Sequence, residues 1–412
     1  MGQSHARHHV GEGLKLYHAF KYEEAVHKWS KALDRTSNLH EKFLILGYLI
    51  TASFDRGRHR DMLTYAARQI DLAHEVADVN LRAEGYLNLA RSNEMMCEFH
   101  KTLTYGRHSL SNETRHVRLP GYIHLCMANA YCGLSDFSSS LQFYFKANKV
   151  AQKELDPLLE LLVNAGLGHL YISLRDFEKG LFYHIRSKDL ARGLVHDVTA
   201  KFQRLVAVNM AIAYLKLTRY IEAMDQCEDA MKMALSHNDR AVQAKCLRVF
   251  AEIHRKRNDP AKAIPRYDTA NNLMAEIGDK LGQVEVLAGL AKLQAAQGQY
   301  DQAVETNLRA LDLGQNVGNK LSTMLCHHRL EQIYRVMSNT DQCNQHSFLC
   351  KQLIAQFAPR CTWCHDYVGE HPSKLEAYSC GHVYHSSCWA RVNQHSNLCR
   401  SRQCPVCDTS KR

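Results

Sequence analysis

The last 52 residues hold the chain's densest set of metal-ligating side chains. Two residues lie between Cys361 and Cys364, and fifteen residues separate Cys364 from the run Cys380, His382, His385 and Cys388; fifteen more lead to Cys404 and Cys407. Zinc takes four thiolate or imidazole ligands in a tetrahedron, and a Cys-x2-Cys knuckle offers two sulfurs at a suitable angle. Eight ligands suffice for two sites, so two Zn2+ are expected. Every position is filled by protein, which leaves none for water and makes the metals structural rather than catalytic. A segment of ~50 residues cannot build a sufficient apolar core, so metal must supply much of its folding free energy. Cys399 and His395 fall outside the pattern and read as bystanders.

This order of ligands resembles the RING finger in its two-histidine form, in which ligand pairs alternate. The resemblance implies that one zinc takes Cys361, Cys364, His385 and Cys388, and the other Cys380, His382, Cys404 and Cys407. RING ligases bind a conjugating enzyme in a shallow apolar groove. The matching positions here are Trp363, Trp389 or Val392, and Pro405. Active ligases commonly place a basic residue after the last ligand. Asp408 stands there instead, which argues against transferase activity.

The elements that must carry this module are helical and repeated. Tyr22-Glu-Glu-Ala25, Phe177-Glu-Lys-Gly180, Tyr220-Ile-Glu-Ala223 and Tyr300-Asp-Gln-Ala303 align, each followed seven residues later by Ala32, Ser187, Ala230 or Ala310. Weaker copies surround Met62, Thr102, Ser140 and Ala263, and the eight positions are 37, 40, 38, 40, 43, 40 and 40 residues apart. Antiparallel helices cross closely only where side chains are small, which accounts for Gly13, Gly168, Ala211 and Ala291. Bulky residues such as Tyr17, Trp29, Tyr171 and Tyr267 fill the space beside them. Turns at Gly57-Arg58, Arg175-Asp176, Asn258-Asp259 and Gly298-Gln299 close αα-hairpins. The pattern resembles the tetratricopeptide repeat. The expected fold is therefore all-α: a superhelical solenoid of about eight repeats over 6–319, a further helical segment over 320–357, and the module over 361–407. Such an array is one quasi-linear domain whose concave face usually binds partners.

Within the array the histidines, for example His100, His124, His169 and His254, sit singly and suggest no catalytic constellation. Adjacent residues of a helix do not face the same way, and His327-His328 reads as solvated surface. The net charge of +10 comes from 52 Lys+Arg against 42 Asp+Glu interspersed along helices, with no basic stripe, which argues against nucleic acid. The longest apolar run, Phe43 to Ala52, is half a membrane span, and the first twenty residues lack a signal-peptide core. A soluble intracellular protein is expected. Residues 1–5 begin Met1-Gly2, and Gly2 fits N-myristoylation, although Ala6 replaces the preferred Ser or Thr.

The domain order and two local stretches, Tyr86 to Lys101 and Pro265 to Val284, resemble the rapsyn family over the whole chain. That resemblance implies a postsynaptic scaffold that clusters nicotinic acetylcholine receptors at the cytoplasmic face of the membrane. It implies a myristate on Gly2, self-association through the repeats, and contact with receptor cytoplasmic loops through 320–357. It also implies that the finger engages dystroglycan-type cytoskeletal linkers. The alternative is a RING-type ligase for ubiquitin or a similar modifier, using the repeats to select substrate.

Overall fold

The structure is a computed structural model that describes residues 2–112, 115–194, 196–369, 371–395, 404 and 407. Helices pair into hairpins in chain order. The first two are α1 (Gly2–His18) with α2 (Tyr22–Arg35), and α3 (Leu39–Asp55) with α4 (His59–Val76). Then come α5 (Val79–Met95) with α6 (Phe99–Ser111), α7 (Leu119–Gly133) with α8 (Phe137–Lys153), and α9 (Pro157–Ser173) with α10 (Phe177–Gly193). Hairpins six and seven are α11 (His196–Lys216) with α12 (Tyr220–Ser236), and α13 (Arg240–Lys256) with α14 (Pro260–Ile277). The last two are α15 (Lys280–Ala296) with α16 (Tyr300–Val317), and α17 (Lys320–Val336) with α18 (Thr340–Phe357). A short sheet, β1 (Leu375–Ala377) antiparallel to β2 (Val383–His385), and α19 (Ser386–His395) follow.

The period seen in the residues reappears in the backbone. Each hairpin turn has one residue in the left-handed region: Phe20, Gly57, Cys97, Ser135, Arg175, Thr218, Asn258, Gly298 and Ser338. These lie at the same intervals of 37, 40, 38, 40, 43, 40 and 40, with one more of 40. Asp156, Asp176, Asp239, Asp259 and Asp279 start helices by accepting the N–H three residues on, a cap of about 1 kcal/mol each. The small residues sit where helices cross. A Cβ on Gly13 would lie 2.3 Å from the Trp29 indole nitrogen, and one on Gly168 would lie 2.4 Å from the His184 ring.

The array winds tightly enough for its turns to touch the following superhelical turn. Gly57 lies against Ala241; Lys280 Nζ donates to Glu98 at 2.7 Å; Asn319 donates to the Gly133 carbonyl at 2.7 Å. At the first of these joints Asp239 accepts from Lys201 at 2.8 Å and from Arg204 at 3.1 Å, all three buried. The concave face expected from the repeats is therefore bridged along its turn edge by the chain itself. Two further readings are corrected. His327 is buried, its Nδ1 2.9 Å from Nδ1 of His346, while its neighbour His328 is the solvated one. His169 is not solitary either: its ring packs edge-on to that of buried His184, centroids 5.3 Å apart.

Candidate metal centre

The Cys/His module hangs from the end of α18 and is built around the two-stranded sheet. Leu375 pairs with His385 and Ala377 with Val383, which brings the tail of the first spacer beside the central ligands. Val368, Leu375, Val383 and Tyr384 are buried in one cluster with Phe137, Leu141, Tyr144 and Tyr171 of the array. The small module thus borrows its apolar core from hairpins four and five.

Two groups of four ligand atoms form, each within 4.8 Å of one another: Cys361, Cys364, His385 and Cys388, and then Cys380, His382, Cys404 and Cys407. These are the alternating sets that the RING resemblance implied. The geometry can be tested against a metal. Zinc–ligand bonds of ~2.3 Å for sulfur and ~2.0–2.1 Å for nitrogen place tetrahedral S···N edges at about 3.6 Å. His382 Nδ1 lies 3.2 Å from the Cys380 sulfur and 3.5 Å from those of Cys404 and Cys407. His385 Nδ1 lies 3.5 Å from the Cys364 sulfur. Both imidazoles present Nδ1, leaving Nε2 for an outer partner.

The electrostatics point the same way. Burial opposes ionisation of the Cys361 thiol, yet the backbone N–H groups of Cys364, His385 and Trp363 outweigh it and lower its pKa. Cys364 and Cys380 are pushed up to about 12, first by burial and then by the neighbouring thiols. Four thiol and imidazole groups gathered this closely need a cation before they can all be ligands. The clusters fit a divalent metal ion.

The remaining expected site residues are placed as follows. Trp363 is exposed, Trp389 packs its ring against Tyr378 and Tyr384, and Val392 is buried. Pro405 and Asp408 lie outside the described residues. At the other end the backbone is helical from Gly2, in α1, and Ala6 is buried. No helix among the described residues is long and apolar enough to cross a membrane. The partnership of His327 with His346 escaped the sequence, because 19 residues and the turn between α17 and α18 separate them.

Fold and centre together define an α-helical repeat protein that ends in a Cys/His metal-binding module. Comparison with known proteins narrows this. Residues 1–80 match a family profile described as the rapsyn N-terminal myristoylation and linker region. The chain is 36% identical over 412 residues to the 43 kDa receptor-associated protein of the synapse from Tetronarce californica, spanning 100% of this chain and 98% of that one. It is 38% identical over 409 residues to the protein of the same description from Gallus gallus, spanning 99% and 98%. Among solved structures it is similar to a Rap protein complexed with competence and sporulation factor, with a TM-score of 0.60. That likeness covers 85% of this chain and 98% of that one at 14% identity, and speaks for the fold alone. The chain belongs to the rapsyn family, that of the 43 kDa receptor-associated protein of the synapse.

Proposed function

We propose that this chain is a peripheral scaffold at the cytoplasmic face of the postsynaptic membrane, where it clusters nicotinic acetylcholine receptors and links them to the cytoskeleton. The observation that carries this is end-to-end similarity, at 36% and 38% identity, to two proteins described as receptor-associated at the synapse. Neither a catalytic assignment nor the ligase alternative has comparable support.

In this reading residues 1–5 carry a myristate on Gly2, and 6–319 is the self-associating repeat array. The segment 320–357 contacts receptor cytoplasmic loops, and 361–407 holds two structural Zn2+ and meets dystroglycan-type linker proteins. One myristoyl chain gives only marginal membrane affinity, roughly 10⁴ M⁻¹, so a second contact is required. A receptor already in the bilayer supplies it, and linking two weak contacts raises overall avidity by about 10²–10⁴ without any new surface.

The test is direct binding. Purified full-length chain is passed over immobilised nicotinic receptor in nanodiscs, with and without the receptor's large cytoplasmic loops. Retention that disappears with the loops supports the reading. Equal retention, or none, overturns it.

A further inference from the structure

The winding of the superhelix makes a regular series of contacts, and one member of the series is not made by a hairpin. The turn of hairpin two meets Ala241, that of hairpin three meets Asp279 and Lys280, and that of hairpin four meets Asn319 and Leu321. The bonded residues of the last two joints are 182 and 186 positions apart in the chain. Next in order is the turn of hairpin five, and its partner, 199 positions on, is Leu375 of the Cys/His module. The module occupies the place that another hairpin would take.

The seat is specific. Asp176 uses one carboxylate oxygen to cap α10, accepting from the Lys179 N–H at 3.1 Å, and the other to accept from the Leu375 N–H at 2.8 Å. Lys179 Nζ donates to the Leu375 carbonyl at 2.5 Å and pairs with Glu376 at 3.1 Å. From hairpin four, Gln142 donates to the Cys380 carbonyl at 2.9 Å and Ser138 to the Gly381 carbonyl at 3.2 Å. Gly369 lies against the Leu174 carbonyl, where a Cβ would be 3.4 Å away.

We propose that the module is a metal-dependent clasp: loaded, it closes the edge of the superhelix at hairpins four and five, and stripped, it lets go. The inference rests on the reading that the two clusters bind zinc. Two features carry it. The groups that the module offers to the seat are mostly main-chain: the N–H and carbonyl of Leu375 and the carbonyls of Cys380 and Gly381. Their positions are fixed only while the knuckle and strand are folded, and a module this small depends on its metal for that. Cys380 belongs to one of the ligand clusters, so the ligation that fixes its sulfur also fixes the carbonyl that Gln142 holds. On the array side the hydrogen-bonding groups are polar side chains within the first two turns of α8 and α10, which water can satisfy once the module leaves. The joint therefore separates without unfolding the hairpins that form it. Metal occupancy becomes a control on the shape of the scaffold.

The experiment uses full-length, zinc-loaded chain and hydrogen exchange read by mass spectrometry, with zinc per chain counted by native mass spectrometry. It is repeated after chelation and on the Gln142→Ala/Lys179→Glu double variant, which replaces no metal-ligating side chain. Chelation is expected to speed exchange at least tenfold at 174–183 and at Leu375, and to leave 54–60 and 94–100 unchanged. The double variant is expected to speed exchange at Leu375 while retaining two zinc ions. Zinc loss that leaves 174–183 protected, or a double variant with unaltered exchange at Leu375, overturns the clasp alone. A chain that holds no zinc as purified removes the metal reading and the clasp with it.

Discussion

Replacing Gly57 with alanine tests whether the superhelix is closed on itself, because Gly298 provides a matched control. Both glycines occupy the left-handed position of a hairpin turn, with φ of 68° and 78°. Forcing alanine into that region costs about 1–2 kcal/mol, partly offset by roughly 0.4–1 kcal/mol of entropy removed from the unfolded chain. At Gly298 nothing lies within 4 Å of an added Cβ, so the net cost there is at most ~1.5 kcal/mol. At Gly57 the Cβ would lie 2.7 Å from the backbone nitrogen of Ala241 and 2.8 Å from its Cβ, neither of which can rotate away. Overpacking of that kind costs a further 1–3 kcal/mol or so. Hydrogen exchange resolves the two contributions, since 1–3 kcal/mol corresponds to about 5–150-fold faster opening. Gly57→Ala is expected to loosen both its own turn and 237–243, whereas Gly298→Ala loosens only 294–300. Equal and purely local effects of the two substitutions would refute the closure of one superhelical turn on the next.

Three other outcomes follow from the same structure. Asp239→Asn leaves Lys201 and Arg204 buried without their shared carboxylate, a loss of about 3–5 kcal/mol that lowers the urea midpoint of the circular dichroism transition; an unchanged midpoint contradicts the joint. Cys380→Ser should leave one zinc per chain by native mass spectrometry, because the ligands divide into independent fours; loss of both, or of neither, contradicts that division. Burial, and lysines nearby, pull the pKa of His124 and His169 down to about 4, so the folded chain binds fewer protons than the unfolded one between pH 4 and 6.5. The contribution is therefore complete above about pH 6.5 and is lost as pH falls toward 4; the thermal midpoint should drop from pH 7 to pH 5, and less steeply in His169→Gln.

Much of this architecture is legible in the residues because the repeat forces it to be. A hairpin needs a small residue at each crossing and a left-handed residue at each turn, so the interval between Ala223 and Ala263 equals that between Thr218 and Asn258. Zinc is equally demanding, and Cys-x2-Cys spacing leaves little freedom in which sulfurs meet. The winding is not legible, since Gly57 and Ala241 meet through the accumulated rotation of several hairpins, which no local pattern encodes. Nor is the seat for the module: Asp176 looks like one more helix cap, and nothing near it announces that its second oxygen holds Leu375. The burial of His327 is not legible for a simpler reason. Adjacent residues of a helix point about 100° apart, and His327 rather than His328 is covered because α18 packs on that side.

The central claim is that this chain gathers receptors. The most direct measurement is to express it with a nicotinic acetylcholine receptor in non-muscle cells and count receptor clusters by fluorescence microscopy, beside a Gly2→Ala variant expressed at the same level. Receptor and scaffold are expected to coincide in surface clusters with the native chain, and few clusters are expected with the variant. Receptor that stays diffuse in cells making ample native chain would contradict it.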